Sequence, residues 1–413
     1  MVHVHAPPIP CLVSCLHGLC ALLCRLAHSQ KKVVPPPPIH VFFGTDTNKG
    51  VSKGIYRSIF DSALGQLTPP VLIAATARPS YLAVSPPGSS RRSLYAVNAI
   101  NDPAATVTSF MLDPGTGNLQ QTGQVPSGGA GPAYVSVDST GHAAFVANYV
   151  GASITSYRVQ PDGTLSQPVE RLDFKDHQKF GAPGPNSARQ ENSHPHCVTI
   201  SPDDRFLLVC DLGTDHISVF YIHPETGQLS DPHLFTNERP GSGPRHVVFH
   251  PNGRWVYCIN EIDSSIDRCL WTATRFSNAP QGLLVNSTFS VKTIAPDFPA
   301  EKNTAAEIAI SPDGNFLYAS NRGKILWSSF RLQKTATLRC FSGSPAAAKR
   351  LATLRWIRRR SGCSAAIRTP QMSRSFAATP LRESSLAPRR PSLWIRRSLP
   401  SSPEPRRQAA TNP

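Results

Sequence analysis

His196, Arg245, Glu261 and Arg322 are the residues of this sequence whose types and placement suit joint chemistry. An imidazole and a carboxylate can move a proton to or from a reacting group near neutral pH. A guanidinium presents a planar fork of donors that matches a phosphate or a carboxylate. Together they make one acid/base pair and two anion-binding groups, with His194 beside His196 as a further substrate-binding candidate. The His194-Pro195-His196 spacing is weak metal evidence without a located carboxylate partner, so neither a metal nor a cofactor is expected. The plainer alternatives are a strand-capping role for His196 and a structural ion pair between adjacent strands for Arg245 and Glu261.

A repeat in the chain shows how these residues could meet. Five segments superpose: Tyr81 to Asn98, Tyr134 to Asn148, Cys197 to Asp211, His246 to Asn260 and Glu307 to Asn321. Each reads as a strand, a Pro/Asp/Gly turn and a second strand, and their closing residues are spaced 50, 63, 49 and 61 apart. Asp113, Asp138, Asp203 and Asp313 fall in the turns and are most simply turn residues. The stretches SITSYRVQPDGTL and HISVFYIHPETGQL add a further strand and a hairpin, with Gly163 and Gly227 at the tight positions. Four short strands per repeat of about 50 residues is the pattern of a β-propeller blade, so the fold class is all-β. In such a blade the residue before the first strand and the residue after the second emerge at one mouth of the central channel. The first position reads Ser80, Ala133, His196, Arg245 and Ala306; the second reads Ala99, Tyr149, Leu212, Glu261 and Arg322.

The chain of 413 residues carries 42 Lys+Arg against 26 Asp+Glu, net +16, a balance that normally raises nucleic acid or an anionic membrane as partner. The excess lies wholly after Lys324: the segment before it is neutral, so a basic groove in the fold and a specific nucleic-acid partner are not expected. The last 89 residues contain no Val, Asp, His or Tyr and show no lasting apolar period. A basic arm around Arg355, Arg358, Arg359 and Arg360, a disordered tail and out-of-frame translation are the three readings. The abrupt break at Gly323-Lys324, inside a repeat, favours the last. None of the ten cysteines forms a CxxC pair, and Cys197, Cys210 and Cys258 sit in apolar runs, which reads as buried free thiols. The apolar run Cys11 to Leu26 is too short for a membrane span. Followed by Ala27-His28-Ser29, it could be a signal peptide, implying a periplasmic or secreted protein, and otherwise a cytoplasmic one. Asn286-Ser287-Thr288 matches a glycosylation acceptor, which matters only on a eukaryotic secretory route.

The segments FGTDTNKGVSKGIYRSIFD, SGGAGPAYVSVD, ENSHPHCVTISPD, GSGPRHVVFHPNGRWVYCINE and SPDGNFLYASNRG, in this order, resemble the seven-bladed lactonase propellers. That family includes bacterial 6-phosphogluconolactonases and fungal carboxy-cis,cis-muconate cyclases. The resemblance implies a seven-bladed β-propeller, with about five to five and a half blades encoded, over 40–323. A leader with a Pro-rich spacer precedes it over 1–39, and the basic tail follows over 324–413. The TPRNF-like motif and NQD-like strand end that follow in the family are missing here, and its GPxH pattern reads Gly131-Pro132-Ala133-Tyr134 in the second repeat. The implied activity is metal-independent hydrolysis of a small anionic sugar lactone. His196 and Glu261 would be catalytic, and Arg245, Arg322 and His194 substrate-binding; the cyclase's proposed His, Glu and two Arg fall on four of these positions. A muconate-cyclase-like lactonising enzyme, a non-catalytic binding propeller and an inactive truncated product are the alternatives. The oligomeric state is not legible.

Overall fold

The computed structural model describes residues 38–369, apart from 49, 237–238, 275–280, 324–326, 333–337, 343–353 and 358–363. The leader up to 37 and the tail from 370 onward lie outside the described residues. Each of the five repeats opens a four-stranded antiparallel sheet. Blade one is Pro79–Val84, Ser93–Asn98, Thr106–Leu112 and Leu119–Pro126; blade two is Pro132–Val137, Ala143–Asn148, Ser153–Arg158 and Glu170–Asp173. Blade three is Pro195–Ile200, Phe206–Asp211, His216–Tyr221 and His233–Thr236; blade four is Pro244–Phe249, Trp255–Asn260, Ser265–Ala273 and Gly282–Lys292. Blade five is Ala305–Ile310, Phe316–Asn321, Trp327–Leu332 and Leu338–Ser342.

A sixth sheet joins Ile39–Thr45, Gly54–Asp61, Gln66–Leu67 and Val71–Ala75 with the hairpin Leu354–Ile357 and Ser364–Thr369. Its pairing of Ile39–Thr45 with Ser364–Thr369 is parallel. The sheets therefore continue past residue 323, where the composition changes. Trp327–Leu332 is the third strand of blade five, and its Phe330 is fully buried in a cluster with Tyr257, Ile259 and Leu317. Among the described residues no helix is long and apolar enough to cross a membrane.

The second strand of each blade explains the packing. SLYAVN, AAFVAN and FLLVCD are buried at every position. Both faces of a blade press against neighbouring blades, so these strands need apolar or small residues on both sides and lose the apolar/polar alternation of a half-exposed strand. The turns are closed by short acids: Asp138 accepts from the backbone N–H of His142 at 2.8 Å, and Asp113 from those of Gly115 and Thr116, both at 2.8 Å. Gly163 and Gly227 sit at φ 83° and 75°, in the left-handed region that glycine adopts without a Cβ clash.

Candidate active site

The innermost strand of each of the five repeats carries a β-bulge at the same place. Pro195 faces Asp211 and Cys197 faces Cys210, so His196 is the extra residue between them. Arg245, Ser80 and Ala133 are skipped in the same way in blades four, one and two. In blade five Ala306 and Glu307 together face Ser320. A bulge bends the strand and re-aims the extra side chain, which here turns the first mouth position toward the channel. Proline opens four of these five strands, at the one strand position where a missing N–H is harmless.

The second mouth position is fixed by a backbone bond to the start of the same blade. Tyr149 N–H donates to Gly131 O at 3.0 Å, Glu261 N–H to Gly243 O at 2.7 Å and Arg322 N–H to Thr304 O at 2.9 Å. The Asn or Asp before each of these residues ties down the loops. Asp211 accepts from the backbone N–H groups of His194 at 2.6 Å and Gly213 at 2.9 Å, and also from the Ser193 hydroxyl. A Cβ at Gly213 would stand 1.7 Å from the carbonyl oxygen of Asn192. Gly213→Ala is therefore expected to push back the loop that carries His194 and to destabilise the fold by about 1–3 kcal/mol. An unchanged urea midpoint would contradict this.

The mouth holds a cavity of about 440 Å³ lined by His196, Glu261 and Arg322, with Tyr149, Arg189 and Arg78. That volume suits a small ligand. Three of the five expected site residues thus share one wall. Arg245 lies behind it, 2 % exposed, with Nε on Glu261 Oε2 at 2.7 Å and NH1 on the Ala306 carbonyl at 2.5 Å. His194 is also set back. Its ring stacks on Tyr149 at 4.4 Å between centroids, with Nδ1 3.0 Å from Tyr149 O and Nε2 3.1 Å from Glu191 Oε1. Among the described residues no group of three or more His, Cys, Asp or Glu side chains is placed to hold a metal ion.

Glu261 is the electrostatic centre. Its Oε2 takes Arg245 Nε at 2.7 Å and Arg322 NH1 at 3.0 Å, and its Oε1 takes Arg189 NH2 at 2.6 Å. Burial alone would raise the carboxyl, but Arg322 and Arg245 hold it well below the usual carboxylate range. Burial and the nearby Arg322 push Arg245 down to about 10. His196 is lowered well below its ordinary value by burial first, then by Arg245. At neutral pH the wall therefore presents a neutral imidazole, a fixed carboxylate and the guanidinium groups of Arg322 and Arg189.

Residues 40–349 match the family described as the seven-bladed β-propeller lactonases. The chain belongs to this family. It is 34 % identical over 275 residues to an uncharacterized Lactococcus lactis protein, spanning 67 % of this chain and 73 % of that one. It is 27 % identical over 314 residues to the 6-phosphogluconolactonase of Bacillus subtilis, spanning 76 % and 81 %. The solved structure of the periplasmic gluconolactonase of Pseudomonas aeruginosa superposes with a TM-score of 0.64 at 28 % identity, over 77 % of this chain and 86 % of that one. The lactonase match also runs past the sequence boundary at 323, as the strands of blade five do.

Two wall residues of this lactonase propeller are not in the set expected to act on substrate. Tyr149 occupies a mouth position but, as an aromatic among packing residues, carries no sign of its role. Its side chain hydrogen-bonds Arg189, and burial raises its hydroxyl. Arg189 comes from the connection between blades two and three. The only sign of it is the 63-residue spacing of the repeats there, which marks an insertion before His196. Where the family pattern has histidine in the second repeat, Tyr134 stacks on Tyr81 at 3.9 Å and meets His246 edge-on at 5.0 Å.

Proposed function

We propose that this chain hydrolyses a small lactone bearing a phosphate or carboxylate, of the 6-phosphogluconolactone kind. The observation that carries the reading is the placement of His196 in the same wall as Arg322 and Arg189, in a cavity of about 440 Å³, where burial favours the neutral imidazole. The names of the Bacillus and Pseudomonas relatives point the same way. In this reading Arg322 and Arg189 hold the ligand's anion or polarise the ring carbonyl. His196 takes a proton from water as that water attacks the carbonyl carbon, and returns it to the ring oxygen when the C–O bond breaks. Glu261 stays ionised and orients the arginines, because a carboxylate so strongly stabilised is a poor base.

Arg322→Ala tests the assignment of charge. The KM for 6-phosphogluconolactone should rise about 10- to 100-fold, the worth of one charge-assisted contact, while that for neutral gluconolactone changes little. Equal effects on both lactones would show that Arg322 does not read the anion.

A further inference from the structure

We infer that Glu307, acting through His246, sets which nitrogen of His196 carries its proton, so that the ring faces the cavity with a bare Nε2. The inference rests on the reading of His196 as the proton acceptor and adds the residues that make it one. His246 is buried behind the wall, the first residue after the bulge in blade four, and Glu307 is half of the bulge in blade five. His246 Nδ1 lies 3.1 Å from Glu307 Oε1, and His246 Nε2 lies 3.2 Å from His196 Nδ1. Three side chains from three blades thus form one line ending at the cavity.

The partners decide the tautomers in turn. Glu307 Oε1 accepts from the backbone N–H of Ile308 at 3.2 Å, so it shows lone pairs to its neighbours and His246 Nδ1 must bring the hydrogen. Arg245 NH1 lies against the same ring, 3.1 Å from His246 Nε2 and 3.4 Å from its Nδ1. A second proton would make this ring a cation beside that guanidinium, so His246 stays neutral and, with its one hydrogen on Nδ1, its Nε2 is bare. His196 Nδ1, facing the same bare nitrogen, must then be the donor. One site remains unprotonated in the line, Nε2 of His196, and His196 lines the cavity. Glu307 and His246 are positioning residues: in this arrangement neither touches the substrate.

The first measurement needs no variant. In ¹⁵N spectra of the full chain with labelled histidine rings, His196 is assigned by the signal lost in His196→Asn. Wild type should show a protonated Nδ1 and a bare Nε2. A protonated Nε2 with a bare Nδ1 would overturn the inference whatever the activity. In Glu307→Gln the amide can offer N–H to His246 Nδ1, letting both rings change tautomer. We expect kcat for 6-phosphogluconolactone to fall about 10- to 10³-fold with KM held within about threefold, and the His196 ring signals to exchange character. His196 ring signals unchanged in Glu307→Gln would also overturn it. The expected wild-type spectrum together with an unimpaired His196→Asn enzyme would support the tautomer assignment while removing His196 as the base, so the two readings fail separately.

Discussion

With His196 replaced by Asn, 6-phosphogluconolactone is expected to be turned over about 10²- to 10⁴-fold more slowly, the span typical of a lost general base. The KM should stay near its wild-type value, because the guanidinium groups proposed to hold the anion remain. The fold should survive, since His196 is a bulged residue at the rim, partly exposed and outside the buried clusters. The pH profile makes the test sharper. In the proposed reading His196 works as a neutral base, so activity should be lost as pH falls through its folded-state pKa. Burial and Arg245 place that value well below 6.5. The acid limb of kcat/KM should therefore lie well under pH 6.5 in wild type. It should move up toward 6.5 in Arg322→Ala, because Arg322 is among the charges that lower His196. A limb at an ordinary histidine value in wild type, or a His196→Asn enzyme with full turnover, would rule out His196 as the base.

The blades were legible because a strand, a short acidic or glycine turn and a second strand recur as one unit, and each unit must pack on its neighbours. The two mouth positions follow from antiparallel geometry alone, which is why the repeat alignment groups His196, Glu261 and Arg322. The reason for their orientation was not legible. A bulge exists only in the register between two strands, and a single segment such as HPHCVTI carries no mark of which residue is skipped. Arg245 holds the same bulge position in blade four as His196 in blade three, yet the larger side chain folds back onto Glu261 and leaves the cavity wall. His246 and Glu307 look in sequence like ordinary first residues of a repeat; only the convergence of three blades gives them a line to His196. Residues 327–332 look in sequence like part of a tail because their neighbours are rich in Arg and Ser. A strand needs only a few apolar residues on the right face, and Phe330 supplies one.

Glu261→Gln is expected to destabilise the fold by about 3–5 kcal/mol, the cost typical of breaking a buried ion pair from one side. The reason is arithmetic of charge at close range. Wild type sets one carboxylate against three guanidinium groups at 2.6 to 3.0 Å, and Arg245 among them has a side chain only 3 % exposed. The amide keeps the shape but loses the charge, and its NH₂ must face at least one donor that both carboxylate oxygens now satisfy. The loss should show as a lower urea midpoint with little change in slope. Its pH dependence has a definite sign. The folded-state pKa of Glu261 lies below its unfolded value, so its contribution is present above about pH 4.3 and fades as pH falls below that. The gap between wild type and Glu261→Gln should accordingly narrow in acid. Adding Arg245→Met to Glu261→Gln should recover much of the stability, because it removes the cation that cannot reach water. If Glu261→Gln unfolds at the wild-type midpoint at neutral pH, the carboxylate is not what holds the three arginines, and the assignment of Glu261 as their organiser falls with it.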